Sequence, residues 1–189
     1  NLSRDDQQWI LANKGPGTGA IYNPPSPSHL PSYADGKWKG MHAVYEHARF
    51  DALMNDRGHI TVYPKENGKR VGKSMTFGLG CYYHNTLFTP ARHTGRPIKE
   101  FHTPPKPQKQ PKEVVLSGLL EDKVPFDVVF KFKDNKIEAR GWIKDPPDIR
   151  DRTRFRIGVT VPASHDLSRV KMSEREKILT AQIIIPVGP

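Results

Sequence analysis

The sequence predicts an all-β protein, built as a single antiparallel β-sandwich or jelly roll. Apolar side chains alternate with polar ones over 126–132 and again over 137–143, which is the pattern of strands with one buried face. Asp134-Asn135, between the two segments, suits a two-residue turn because both residues tolerate positive φ. Further turn signals such as Asn67-Gly68 recur upstream at spacings of about ten residues, as they do in sandwiches and jelly rolls.

The same alternation predicts a register for this hairpin. On the buried face it pairs three sets of side chains: Phe132 with Ile137, Phe130 with Ala139, and Phe126 with Ile143. On the other face Lys131 lies opposite Glu138, and this opposite-charge pair favours the same register. Phe155 to Val161 continues the alternation, so we expect a third strand in the same sheet.

The chain divides into an extended N-terminal arm, 1–40, and a β-sandwich domain, 41–189. A capping pattern predicts a short helix over 5–12, and the rest of the arm is rich in glycine and proline. Four apolar or aromatic residues are spaced as anchors for this arm: Tyr22, Leu30, Tyr33 and Trp38.

Within the domain, we expect a strand over 44–53, a turn over 55–58, and further strands between this turn and Tyr83. Strands resume at Val114. A short helical turn over 171–177, capped by Ser173, and a last strand over 179–187 complete the domain. The last strand is apolar on both faces, which predicts a central position in its sheet.

A long basic loop, 89–112, interrupts the predicted strands. It carries six prolines and six Lys or Arg residues against one acid, Glu100. A loop of this length inside a compact domain is usually functional or disordered, and proline favours an extended form.

The charge balance favours anionic partners. Thirty Lys and Arg residues stand against twenty Asp and Glu, a formal charge of +10, which suits an acidic polysaccharide or nucleic acid. Solubility alone is the plain alternative. No apolar run approaches the ~18 residues of a membrane span, so we expect no membrane insertion. Cys81 is the single cysteine, so the chain forms no internal disulfide.

The first candidate site is the polar face of the predicted sheet. If the register is right, five residues share this face: Lys131, Arg140, Trp142, Arg154 and Arg156. An indole stacks on a sugar ring while guanidinium groups hold a carboxylate or sulfate, and the same groups bind single-stranded nucleic acid. Arg92 and Arg96 of the basic loop are expected to assist. Two alternatives are that the arm covers this face and that a protein partner binds it.

The second candidate is acid–base catalysis where a strand leads into the basic loop. Tyr82, Tyr83, His84 and Arg92 cluster there in the sequence, together with His93. A polysaccharide lyase needs a Tyr or His base and a cation that neutralises the uronate carboxylate. The residue types fit this chemistry, although no spacing identifies it.

The third candidate is a metal site. Its ligands would be Cys81, His84, His93 and His102. Thiolate and imidazole bind zinc, but only Cys81 and His84 are closely spaced. The alternative is a buried apolar cysteine with histidines in loops.

Three functions follow from these observations. The leading hypothesis is a non-catalytic binding module for an anionic or sugar-rich polymer, in a secreted or periplasmic protein. The first alternative is a structural subunit of a larger protein or RNA–protein assembly, in an organelle or the cytoplasm, whose arm and loop wrap neighbouring subunits. The second alternative is a small polysaccharide lyase. We expect no cofactor.

Overall fold

A computed structural model describes residues 22–23, 26–103, 106–134, 136–162, 173–175 and 178–180. In chain order the strands of this part are β1 (Tyr22–Asn23), β2 (Ser32–Tyr33), β3 (Met41–Glu46), β4 (Phe50–Asn55), β5 (Ile60–Glu66), β6 (Lys69–Arg70), β7 (Met75–Asn85), β8 (Arg92–Gly95), β9 (Ile98–Thr103), β10 (Gln108–Lys109), β11 (Glu113–Leu120), β12 (Pro125–Lys133), β13 (Lys136–Ile143), β14 (Arg154–Thr160), β15 (Ser173–Arg175) and β16 (Ile178–Thr180). The helices of the described part are two short 3₁₀ turns, Gly36–Trp38 and Glu121–Lys123. The predicted all-β class is confirmed.

Most strands belong to two main sheets. The first has eight strands, in the order β10-β3-β4-β5-β7-β14, with β6 paired to β5 and β8 paired to β7. The second has four strands, in the order β13-β12-β11-β9. The pairing of β10 with β3 is parallel, and the other pairings within these two sheets are antiparallel.

One hydrophobic cluster draws on both main sheets. Phe126 and Phe130 of β12 contribute from the four-stranded sheet, and Met54 and Ile60 contribute from the eight-stranded sheet. Each of these side chains is at most 2% exposed. Every second residue of β12 enters the cluster, so the strand period decides which side chains face the core.

The predicted hairpin register is confirmed along its whole length. Phe132 pairs with Ile137, and Lys131 lies opposite Glu138. Lys133 pairs with Lys136, so the connection has two residues, of which Asn135 is outside the described part. The ion pairs run differently from the prediction, because Lys131 reaches Glu113 of β11 at 3.2 Å while Glu138 binds Lys133 and Lys136.

The prediction that β14 extends the sheet of this hairpin is wrong. β14 pairs with β7 in the eight-stranded sheet, with Phe155 opposite Cys81. Phe155 also lies against Gly141 of β13, where an added Cβ would collide with its ring. The alternation predicted for β14 is present, but alternation alone does not specify which strand pairs with it.

Three further predictions are corrected by the strand assignments. The single strand over 44–53 is two strands, β3 and β4, because the chain turns at 47–49. The basic loop over 89–112 contains three short strands, β8, β9 and β10. The prediction of a helical turn over 171–177 is wrong, because Ser173–Arg175 is extended and pairs with Ile178–Thr180.

Several predictions fall wholly or partly outside the described residues. The helix over 5–12 is one, and most of the last strand over 179–187 is another. Within the predicted arm, Tyr22 and Leu30 are buried, and Leu30 belongs to the shared hydrophobic cluster.

His42 of β3 is a buried titratable group. It is 0% exposed, and its Nδ1 lies 2.7 Å from the carbonyl oxygen of Pro31. Because that oxygen can only accept, Nδ1 carries the proton and Nε2 is a buried acceptor without a partner in the described part. Burial lowers the pKa of His42 to about 4, against the smaller opposing effect of the Pro31 hydrogen bond.

We expect the free energy of unfolding to fall as the pH is lowered through this range. His42 titrates near 6.5 when unfolded and near 4 when folded, so the unfolded state takes up the proton first. The stabilisation is complete above pH 6.5 and is lost as the pH approaches 4. The loss is about 3 kcal/mol by linkage, and urea unfolding at several pH values measures it. His42→Gln should flatten this dependence relative to His47→Gln, and parallel curves for both variants would refute the assignment.

Candidate functional site

The structure divides the predicted polar face between two sheets. Lys131, Arg140 and Trp142 lie on the outer face of the four-stranded sheet, whereas Arg154 and Arg156 lie on β14 of the eight-stranded sheet. The prediction of one continuous surface is therefore wrong, for the same reason that the partner of β14 was wrong. All five side chains do point away from the core, as predicted.

The outer faces of β7, β8 and β14 carry a group of basic and aromatic side chains. We call this group the basic patch, and its members are Tyr82, His84, His93, Arg154 and Arg156. Leu79 and Cys81 of β7 pack against the core, so the alternating residues of that strand face outward. The same argument applies to β14, where Phe155 and Ile157 face the core.

Strand pairing brings the basic patch together. Arg154 lies directly across from Tyr82, and His84 lies across from His93. The two imidazole centroids are 4.0 Å apart, and the His93 ring is 5.3 Å from the Tyr82 ring. The guanidinium of Arg156 lies 5.9 Å from the centroid of Tyr82.

The basic patch has no compensating negative charge on its own strands. β7, β8 and β14 contain no Asp or Glu. Within the described residues, neither Arg154 nor Arg156 forms an ion pair. The pKa of His84 is lowered, first by desolvation and then by the positive charges of His93 and Arg154. The smaller contributions of His93 and Arg154 to this lowering reflect the positive charge on the patch, whereas desolvation lowers the pKa of any imidazole.

Glycines make the floor beside the patch flat. Gly78 and Gly80 of β7 alternate with core-facing residues, and Gly158 of β14 lies opposite Gly78. A Cβ at Gly78 would meet no atom within 4 Å, and the nearest atom at Gly158 is 3.8 Å away. A polymer can therefore approach the backbone of both strands beside the arginines.

Trp142 lies on a different surface, which has nearly balanced charge. Its side chain is 54% exposed. Asp127 lies directly opposite it on β12, and the exposed Val115 lies on the same face of β11. Lys131 on this face is paired with Glu113. Arg140 forms no ion pair among the described residues, and Asp127 forms none either. This surface therefore combines an exposed indole with little net charge.

Arg96 is a buried structural residue, which corrects its predicted role in ligand binding. It is 3% exposed, and its guanidinium reaches Asp122 at 3.1 Å and Asp145 at 3.9 Å. It also donates to the hydroxyl of Thr153 and lies over the Tyr83 ring at 4.4 Å. Arg92, by contrast, is exposed and stacks on Phe88 at 4.9 Å.

The predicted catalytic residues do not gather in one cleft. Tyr82 and His84 face outward on β7, whereas Tyr83 faces the opposite side and contacts the buried Arg96. Arg92 is engaged with Phe88. No base and cation of this set therefore converge on a common point where a uronate could react.

The predicted metal ligands are also separated. Cys81 packs against the core on the inner face of β7, whereas His84 is on the outer face. His102 is on β9, in the other main sheet, 3.7 Å from Glu100. Burial raises the pKa of Cys81 to about 11, against a smaller effect of Arg96. Among the described residues, no group of three or more His, Cys, Asp and Glu side chains could hold a metal ion.

His93 belongs to the basic patch, although the sequence suggested it as a metal ligand and as a neighbour of the candidate acid–base residues. Its position depends on the pairing of β7 with β8, across a six-residue connection that reads as loop. One signal in the sequence does point there: residues 75–99 contain no acid.

Fold and site together define an all-β protein with an exposed group of basic and aromatic side chains on one sheet. Comparison with protein-family models, with curated proteins and with solved structures gives no match. In the described part of the chain, no helix has the length and hydrophobicity of a membrane span.

Replacing Arg96 should destabilise the fold. Arg96→Met leaves Asp145, whose side chain is only 9% exposed, without its cation, and breaking a buried ion pair costs about 3 kcal/mol. Urea unfolding measures this loss. Arg92→Met is the matched control, since Arg92 is exposed, and its effect should stay within about 0.5 kcal/mol. Equal effects of the two variants would show that Arg96 carries no structural role.

Proposed function

We propose that the protein is a non-catalytic binding module that holds an acidic polysaccharide on its basic patch. One observation carries this proposal. Arg154 and Arg156 lie beside two imidazoles on three neighbouring strands that contain no acid. Because these arginines form no ion pair with an acidic side chain of the described residues, their charge is available to the sulfate or carboxylate groups of a polymer.

The chemistry of the basic patch favours sugar-borne anions over bases. A guanidinium matches a carboxylate or sulfate with two parallel hydrogen bonds. Binding to single-stranded nucleic acid also needs an exposed ring on which bases stack. Tyr82 is only half-buried, but it already packs against His93 and Arg156, so its ring is poorly placed to stack a base.

The architecture we propose is a β-sandwich with an extended N-terminal arm. The sharing of one hydrophobic cluster by two main sheets supports this two-layer arrangement. A secreted or periplasmic location fits a polysaccharide partner and is part of the same proposal.

A second candidate function is a structural subunit of a larger assembly. The observation in its favour is that Trp142 and Val115, which are 54% and 43% exposed, lie on the same outer face of the four-stranded sheet, two strands apart. Exposed large apolar side chains on one face often mark an interface. Assembly would occur on this face, whereas the polysaccharide would bind the basic patch. The two functions therefore involve different residues.

Removing the two arginines should weaken retention on sulfated dextran. The double variant Arg154→Gln, Arg156→Gln should bind about thirtyfold more weakly, at about 1 kcal/mol for each exposed charge contact. Salt elution from sulfated dextran, compared with unmodified dextran, measures this effect, which salt should screen.

The matched control is the double variant Lys131→Gln, Lys133→Gln. It removes the same net charge from the other sheet, where both lysines are paired with glutamates, and it should shift elution far less. Equal shifts would show that net charge alone drives retention. Tighter binding of single-stranded DNA than of sulfated dextran would instead indicate a nucleic-acid partner.

Binding should strengthen as the pH falls. The pKa of His84 lies below its ordinary value in the unbound protein, and a bound polyanion favours the imidazolium form and raises that pKa. Binding therefore takes up protons, and affinity rises as the pH decreases through the histidine range. His84→Gln, His93→Gln should flatten the dependence on sulfated dextran, whereas His102→Gln on the other sheet should preserve it. A pH dependence that survives the loss of both patch histidines would place the titrating group elsewhere.

A further inference from the structure

A cleft of 480 Å³ opens where the eight-stranded sheet is incomplete. β5 pairs with β7 only as far as Ile60 opposite Phe77, and β8 pairs with β7 only from Tyr82 opposite Gly95. Between these points residues 79–81 of β7 pair with β14 on one edge, but on the edge that faces β5 and β8 no strand of the described part pairs with them. The cleft occupies this gap.

The interior of the cleft is apolar. Leu79 and Cys81 line it from β7, and Ile98 and Phe101 line it from β9. All four side chains also pack against the shared hydrophobic cluster. The cleft is thus an extension of the core that opens to solvent, and it favours a ligand with an apolar body.

The tight turn that begins at Asn55 brings an arginine and a histidine side chain to the cleft. Arg57 and His59 line it, and both backbone N–H groups donate to the side-chain oxygen of Asn55 at 3.0 Å. Gly58 between them has φ +76°, and an added Cβ would lie 2.8 Å from Leu116. The backbone of this turn is therefore fixed against the core at the positions of Arg57 and His59, whose side chains are exposed.

A further segment of the lining is tied to the same elements. Ser28 and His29 belong to it. The carbonyl of Pro27 accepts from Phe101 N–H at 2.6 Å, and Leu30 N–H donates to the carbonyl of Asp56 at 2.7 Å. Hydrogen bonds to β9 and to the 55–58 turn thus hold this segment in position before any ligand arrives.

The charged residues that line the cleft are all basic. No acidic residue is among the described residues that line it. Arg57 is exposed and forms no ion pair in the described part of the chain. Arg96, the other arginine of the lining, is already paired with Asp122, so Arg57 is the cation available to a ligand.

We propose that this cleft binds a small organic anion with an apolar body, whose charged group pairs with Arg57 near His59. The cleft volume lies within the range of about 300–1,000 Å³ typical of small-molecule sites. This site goes beyond the proposed polysaccharide binding, because it lies beside β7 in a recess and takes a small amphipathic ligand.

Two fluorescent probes that differ by one charge test the proposal. The first is 8-anilinonaphthalene-1-sulfonate, and the second is N-phenyl-1-naphthylamine, which has the same aromatic body without the sulfonate. We expect the sulfonate to bind one saturable site more tightly than the neutral probe. Arg57→Gln should weaken the sulfonate about fivefold, because a partly exposed charge contact contributes about 1 kcal/mol, and should leave the neutral probe unchanged. Arg49→Gln, an exposed arginine remote from the cleft lining, should change neither.

Filling the cleft should remove both probes. Leu79→Trp and Cys81→Met each add volume to the lining, and circular dichroism with thermal unfolding identifies which of the two remains folded. The variant Arg154→Gln, Arg156→Gln should bind both probes normally, which separates this site from the basic patch. Unchanged sulfonate binding in a folded cleft-filling variant would overturn the proposal. Equal losses in Arg57→Gln and Arg49→Gln, or a loss that follows Arg154 and Arg156, would overturn it as well.

Discussion

The hydrophobic cluster shared by the two main sheets is the constraint on which the other features depend. Because side chains alternate along a strand, each residue that enters the cluster forces its neighbours outward. Leu79 and Cys81 face inward on β7, so Gly80, Tyr82 and His84 form part of the outer surface. The same cluster continues into the cleft, where the sheet leaves it uncovered at 79–81. Core, basic patch and cleft are therefore three consequences of one strand pattern.

Arginine has opposite roles in this protein according to its burial. The guanidinium of Arg96, which follows β8, reaches Asp122 in the connection between β11 and β12, so it joins the two main sheets. A buried guanidinium needs such partners, since an unpaired buried charge is strongly unfavourable. Arg154 and Arg156 are exposed, and water solvates them without an ion pair. The first arrangement stabilises the fold, and the second leaves charge available for a ligand.

The sequence predicts local strand pairing much better than contacts between distant strands. The register of β12 with β13 follows from alternation and a two-residue turn, and both are local signals. The partner of β14 requires a choice among strands with equivalent alternation, which the pattern does not contain. β8 and β9 were missed because they are short and adjoin prolines. The basic patch was accordingly predicted in part: the outward direction of Arg154 and Arg156 was right, their grouping with Trp142 was wrong, and the approach of His93 to His84 needed the unseen pairing of β7 with β8.

The net charge of +10 gains functional meaning only when the ion pairs are known. Asp51 binds Lys65 and Arg70 at 3.0 and 2.9 Å, and glutamates pair with lysines along the outer face of the four-stranded sheet. In these contacts each acid neutralises a base, so little net electrostatic potential remains at those places. The uncompensated positive charge instead lies on strands that contain no Asp or Glu. The basic patch is one such place, and the described residues that line the cleft with Arg57 also include no acid. The distribution of the twenty acids, more than that of the thirty bases, therefore determines where positive charge is left uncompensated.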